Sequence, residues 1–203
     1  MVSSEPPQAP GGARWTQEAV LADLEDTSAF AHRLAERLEP GDLIVLSGGL
    51  GAGKTTFTQA LAAALGVEGP VTSPTFVLSR VHRNEGEGPD LVHVDAYRTD
   101  ADGVESLDLG ATLPHSVTVV EWGRGRIEEP LLGPAGSWLD IELRPTDVEG
   151  ASPRMPGPEG AAESAAAPGL RTDFTETSDD LMGTPRAATV RAYGARWGDL
   201  PGF

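Results

Sequence analysis

One short stretch constrains this chain more than any other. Gly48, Gly49, Leu50, Gly51, Ala52, Gly53, Lys54, Thr55 and Thr56 follow a continuous apolar run, Leu43 to Leu46. Glycines let a backbone curl so that successive N–H groups point to one centre, and a helix starting at the lysine adds its positive end. Such a loop suits a chain of phosphates. Lys54 would reach the β- and γ-phosphates, Thr55 would place its hydroxyl on a magnesium ion, and Thr56 would hydrogen-bond the α-phosphate. A plain glycine-rich turn with an exposed lysine is the other reading. The phosphate reading is preferred because every fixed position of the motif is filled, between a buried-type strand and a helix.

The flanking patterns extend this into a fold. Leu43 to Leu46 reads as a strand buried on both faces of a parallel sheet. Phe57, Leu61, Ala64 and Leu65 recur at helical spacing before Gly66, which predicts a helix over 54–65. Asp26 and Thr27 precede Phe30, Leu34 and Leu38, and Pro40 with Gly41 stops the pattern, predicting a capped helix over 27–39. Ala19 to Leu24 reads as an edge strand, while Phe76 to His82 and Leu91 to Asp95 read as an antiparallel hairpin around a polar loop. Val117 to Glu121 and Trp138 to Leu143 add two more strands, about six in all. The fold class expected is α/β: a P-loop NTPase fold with a mainly parallel central sheet, antiparallel edge strands and helices on both faces.

Length and composition set the domain plan. A chain of 203 residues accommodates one sizeable core, and its 25 glycines, 17 prolines and 39% hydrophobic content point to unstructured appendages. Residues 1–14 are expected to be a disordered N-terminus and 15–144 the P-loop ATPase domain. Residues 145–187, rich in Pro, Gly, Ala, Ser and acids, read as a disordered acidic insertion. Residues 188–203 regain Val190, Tyr193 and Trp197 and read as a returning edge strand.

Charge and cysteine usage narrow the chemistry. A net charge of −16 disfavours a broad nucleic-acid groove, so any contact with RNA is expected to be indirect. With no cysteine there are no disulfide partners, no thiolate metal site and no cysteine nucleophile. The N-terminal residues lack a basic stretch followed by an apolar run, so a cytoplasmic protein without a membrane partner is the expectation.

Two carboxylates end apolar strands near the loop. Asp95 has the form of a Walker B residue and Glu121 is the second candidate; one could hold magnesium while the other orients the attacking water, and spacing does not divide these roles. Thr72, Ser73, Pro74 and Thr75 could form a switch touching the γ-phosphate, although spacing alone favours an ordinary Ser/Pro turn. Tyr97, Arg98 and Trp122 adjoin the carboxylates and could steady a nucleotide or simply pack. His32 falls on a solvated helix face and His93 within an apolar strand, where it reads as structural; neither receives a catalytic role.

The motif series goes further than the loop. Gly-Gly-Leu-Gly-Ala-Gly-Lys-Thr-Thr at 48–56, Thr-Ser-Pro-Thr-Phe at 72–76, His-Val-Asp-Ala-Tyr-Arg at 93–98 and Val-Glu-Trp at 120–122 together resemble the bacterial TsaE (YjeE) family. The resemblance covers about residues 26–143. It implies an ATPase of threonylcarbamoyladenosine synthesis on tRNA, weak alone, that acts with the TsaB and TsaD proteins and touches tRNA only through that complex. Carried over, the implied roles are phosphate binding by residues 48–56, with Lys54 also catalytic, and magnesium binding by Thr55 and Glu121. Asp95 becomes the Walker B carboxylate of hydrolysis, Ser73 and Thr75 the switch, Trp122 a wall of the nucleotide site, and Asp26 with Thr27 a border of the base. ATP and magnesium are the implied ligands. This chain departs from the pattern at Gly49, where most relatives have aspartate, and in its long insertion.

Three other readings share the loop. A small-molecule or nucleoside kinase could close its site with Arg80, Arg98, Arg124 and Arg126, but 66–116 offers no evident helical lid. A guanine-nucleotide switch needs a second lysine in its base-reading element, and Lys54 is the only one in the chain. An assembly factor that binds nucleotide without turnover would differ only in rate.

Overall fold

The computed structural model describes residues 7–74, 77–97, 107–146 and 185–198. Strand β1 (Trp15–Leu21) leads to helix α1 (Leu24–Ala35), strand β2 (Leu43–Ser47) and helix α2 (Lys54–Leu65). The hairpin β3 (Ser79–His82) and β4 (Asp90–Asp95) follows, then a short helix α3 (Leu109–Thr112) and β5 (Ser116–Glu121). Helix α4 (Glu128–Leu132), β6 (Trp138–Pro145) and β7 (Arg186–Tyr193) complete the order. Among the described residues the seven strands form one sheet, ordered β1-β7-β6-β2-β5-β4-β3.

Strand alternation divides the core in two. Ile44, Leu46, Val117, Val119, Leu139 and Ile141 face α1 and α2, where Phe30, Leu34, Phe57 and Leu61 meet them. Leu43, Val45, Val92, Val94 and Val120 face the other way, toward Leu109, Leu113 and Ile127. The side-chain period of two in β2 and β5 thus gives both faces an apolar partner, which explains why these strands read as unbroken apolar runs.

The sheet is mixed rather than mainly parallel. Pairings β2·β5, β2·β6 and β4·β5 are parallel, whereas β1·β7, β6·β7 and β3·β4 are antiparallel. The last strand is also not at an edge: β7 lies between β1 and β6, with Ala188, Val190 and Ala192 fully buried. It returns directly beside β6, and β1 covers its outer side. β1 forms the edge on this side and β3 that on the other, and Thr16, Glu18 and Val20 of β1 are exposed to solvent.

Several boundaries differ from expectation for local reasons. Asp23, not Asp26, caps α1: its side chain accepts from the Asp26 amide at 2.9 Å. Asp26 reaches back to the Ala22 amide, also at 2.9 Å, giving a reciprocal cap that starts the helix three residues earlier. β3 begins at Ser79 because Val77 and Leu78 both donate to the Pro74 carbonyl and Leu78 has φ 65°, which breaks extended backbone. Residues 7–14, expected to be disordered, are held against the sheet. Arg124 donates to the Pro7 carbonyl at 3.0 Å, Tyr193 to that of Pro10 at 2.6 Å, and the Arg14 amide to Ala192 at 2.8 Å. The expected insertion, 145–187, lies mostly outside the described residues. Its two ends belong to β6 and β7, and the Thr146 amide donates to the Pro185 carbonyl at 2.8 Å. No helix among the described residues is long and apolar enough to cross a membrane.

Candidate functional site

The C-terminal ends of the parallel strands bring the chemistry together. β2 runs into the glycine loop, whose geometry excludes other residues. Gly48 has φ 144°, and a Cβ there would collide with the Leu143 carbonyl oxygen. Gly51 and Gly53 have φ 74° and 91°, in the left-handed region that glycine tolerates. Gly53 caps α2 without a side-chain hydrogen bond, so the first-turn amides of a twelve-residue helix open onto the loop.

Lys54 is buried within this loop. Its Nζ donates to the Gly49 carbonyl at 2.9 Å and that of Gly48 at 3.1 Å, and lies 3.9 Å from the centre of the Trp122 ring. Trp122 has φ 63°, an uncommon torsion for a residue with a side chain, which costs about 1–3 kcal/mol. The strain is held by the Trp122 amide donating to Leu46 at 3.0 Å and by Arg126 donating to the Trp122 and Ala96 carbonyls. Tyr97 packs on the same indole, ring centres 5.0 Å apart.

Asp95 and Glu121 are register partners on the neighbouring parallel strands β4 and β5. Both are buried. Asp95 Oδ1 accepts from the Tyr97 amide at 3.0 Å. Glu121 Oε1 accepts from Thr55 Oγ1 at 3.0 Å and lies 2.8 Å from His93 Nε2. A hydroxyl from the start of α2, a carboxylate from the end of β5 and an imidazole from within β4 thus meet at one oxygen.

A family model described as Threonylcarbamoyl adenosine biosynthesis protein TsaE matches residues 21–151. The chain belongs to the TsaE family. Among its relatives, the tRNA threonylcarbamoyladenosine biosynthesis protein TsaE of Streptomyces coelicolor is 61% identical over 102 residues, covering 49% of this chain and 69% of that protein. The protein of the same name from Mycobacterium bovis is 48% identical over 130 residues, covering 60% and 77%. The crystal structure of Bacillus subtilis YdiB superposes with a TM-score of 0.59 at 26% identity, over 90% of this chain and 89% of that one.

In this TsaE-family chain the structure gathers Lys54, Thr55, Glu121, Trp122 and Asp95 at one end of the sheet. Other candidates stand apart. Asp26 and Thr27 spend their hydrogen bonds on the start of α1, Thr27 Oγ1 donating to the Asp23 carbonyl at 2.9 Å. Ser73 lies in the exposed turn before β3, where Arg80 donates to Thr72 Oγ1 at 2.6 Å. Thr75 and Arg98 lie outside the described residues. Arg124 is buried against β6, its Nε donating to Asp140 at 2.6 Å, so Arg80, Arg124 and Arg126 are each engaged within the protein. Two residues at the site received no site role from the sequence. His93 read as structural within its apolar strand, and Arg186, at the start of β7 and not singled out, has its Nε 2.9 Å from where a Gly53 Cβ would lie. Only the return of β7 beside β6 puts Arg186 there.

Proposed function

We propose that this chain binds ATP with magnesium on the glycine loop, hydrolyses it, and so serves tRNA threonylcarbamoyladenosine biosynthesis, the process for which its relatives are named. The observation that carries the reading is the meeting of Thr55 and Glu121 at 3.0 Å beside the buried Lys54. These are hard oxygen donors of the type magnesium takes, and Thr55, by giving its one proton to Glu121, keeps its own oxygen lone pairs available. Among the described residues there is no group of three or more acidic or histidine ligands, which fits an ion completed by substrate phosphates better than an all-protein cage.

The residues divide the work. Magnesium, when bound by Thr55 and Glu121, supplies Lewis-acid neutralisation of phosphate charge. The amides of the glycine loop and the open first turn of α2 point fixed positive dipoles at the phosphates, at no cost of reorganisation during reaction. Lys54 exchanges two neutral carbonyl acceptors for charged phosphate oxygens, a stronger pairing. Arg186 adds a cation beside Gly53. Asp95 accepts a hydrogen bond from the attacking water and orients it in line with the γ-phosphorus; the bond to the ADP oxygen breaks as water's oxygen adds, and the water's protons leave with the released phosphate. Action with TsaB and TsaD, with tRNA reached through them, completes the reading, and docking is proposed to bring Ser73 and Thr75 to the γ-phosphate.

ATP turnover by the purified chain, alone and with the TsaB–TsaD pair, tests this. Turnover that rises with the pair and is abolished in Lys54→Ala is the expected result. Absence of ATP binding by the wild-type chain would overturn the reading, and equal turnover by wild type and Asp95→Ala would favour an assembly factor instead.

A further inference from the structure

His93 is fully buried in the middle of β4, yet it is not buried inertly. It stands two residues before Asp95 and shares a sheet face with it, and β4 runs parallel to β5, so its ring lies diagonally toward Glu121. Nε2 is 2.8 Å from Glu121 Oε1. We propose that His93 is a positioning residue for Glu121: its Nε2–H holds the carboxylate turned toward Thr55, so that the magnesium-binding pair is set before any ion arrives. This rests on the magnesium-dependent reading above.

The hydrogen bonding gives the arrangement a direction. An ionised carboxylate only accepts, so the proton of this contact sits on His93 Nε2. His93 Nδ1 is buried and has no partner among the described residues. A proton on Nδ1 would therefore be an unsatisfied buried donor, which leaves the neutral Nε2–H tautomer as the form that fits. Two donors, Thr55 Oγ1 and His93 Nε2, converge on Oε1, while Oε2 accepts nothing from the described residues. One carboxylate oxygen is anchored and the other is left open, which is what a ligand-orienting partner of a metal site achieves. Thr55 belongs to the start of α2, beside the glycine loop, whereas His93 belongs to the central part of the sheet.

The test uses the full chain with ADP and Mn2+, with free Mn2+ read by electron paramagnetic resonance. His93→Leu is expected to weaken Mn2+ uptake by the ADP complex by about 10-fold or more, in line with outer-shell partners of metal ligands. ADP affinity in EDTA should stay unchanged, and His93→Gln, whose amide N–H can take the place of Nε2–H, should recover most of the loss. Unchanged Mn2+ affinity in His93→Leu, an equal loss of ADP affinity in EDTA, or no recovery in His93→Gln would each overturn the role. A measurement on the wild type needs no variant to fold: nitrogen NMR of the His93 ring should report Nε2–H, and an Nδ1–H tautomer would overturn the proposal. A wild type that takes up no Mn2+ with ADP defeats the metal-site reading and this role together. Uptake that Glu121→Gln reduces and His93→Leu does not defeats this role alone.

Discussion

At the scale of single residues, the site depends on positions where only one side chain fits. Gly48 is the sharpest case: its torsion and the Leu143 carbonyl leave no room for a Cβ. Gly48→Ala is expected to destabilise the fold by roughly 2 kcal/mol or more, through overpacking against backbone and a positive φ, as read by urea unfolding. Arg124 is the second case. It bonds Asp140 through Nε and Nη2 and Glu142 at 3.1 Å, all three side chains with almost no exposure, and the Pro7 carbonyl at 3.0 Å. Arg124→Met would leave buried carboxylates short of a partner and should cost about 3–5 kcal/mol. Because most of that is uncompensated charge, Arg124→Met with Asp140→Leu should recover more than half, while Glu142 keeps Arg144 and Arg191. The Arg124 cluster was not legible in sequence, where Arg124 read only as one of the arginines that could close a kinase site.

Elements show how local chemistry and long-range packing share the work. Helix α2 spans the predicted residues because both its ends are glycines with positive φ and its apolar face recurs at helical spacing. Helix α1 starts earlier than predicted because the polar cluster before it holds two acids that can cap, Asp23 and Asp26, and spacing alone does not choose between them. Asp23→Ala should cost about 1 kcal/mol in thermal or urea unfolding, and Asp26→Ala less, since only Asp23 accepts the amide of the first turn. The N-terminal segment is the converse case. Its Pro- and Gly-rich composition predicts disorder, yet Pro7 and Pro10 offer carbonyls, and a proline carbonyl accepts as well as any other. Composition reports on burial within a segment and is silent about donors waiting elsewhere in the fold.

For the whole molecule, the acidic balance of −16 meets a buried ionic cluster on the β6–β7 side of the sheet. Burial pushes the Glu142 carboxyl up, but Arg124, with Arg144 and Arg191, outweighs it and holds the group below its ordinary value of 4.5. A carboxyl depressed in the folded state contributes stability that is full above its unfolded pKa and is lost as pH falls through the folded value. Stability should therefore fall in the acid range below about pH 4.5, and Glu142→Gln should flatten that limb while lowering stability at neutral pH. Urea midpoints of both proteins from about pH 3 to pH 7 would read this directly.

What the sequence determined by itself is the part governed by neighbours in the chain. The glycine loop, the helix after it, the apolar strands on either side and the carboxylates that end β4 and β5 all follow from spacing, torsional freedom and side-chain period. The tertiary structure alone decided which distant groups meet. Strand order brings His93 to Glu121 and Arg186 to Gly53; the return of β7 between β1 and β6 adds two antiparallel pairings to the sheet; and buried donors on Arg124 and Tyr193 capture the N-terminal segment. The physical reason is range. Torsional preference and periodicity act over a few residues, whereas the energy of a buried hydrogen bond or ion pair depends on partners whose distance along the chain carries no signal.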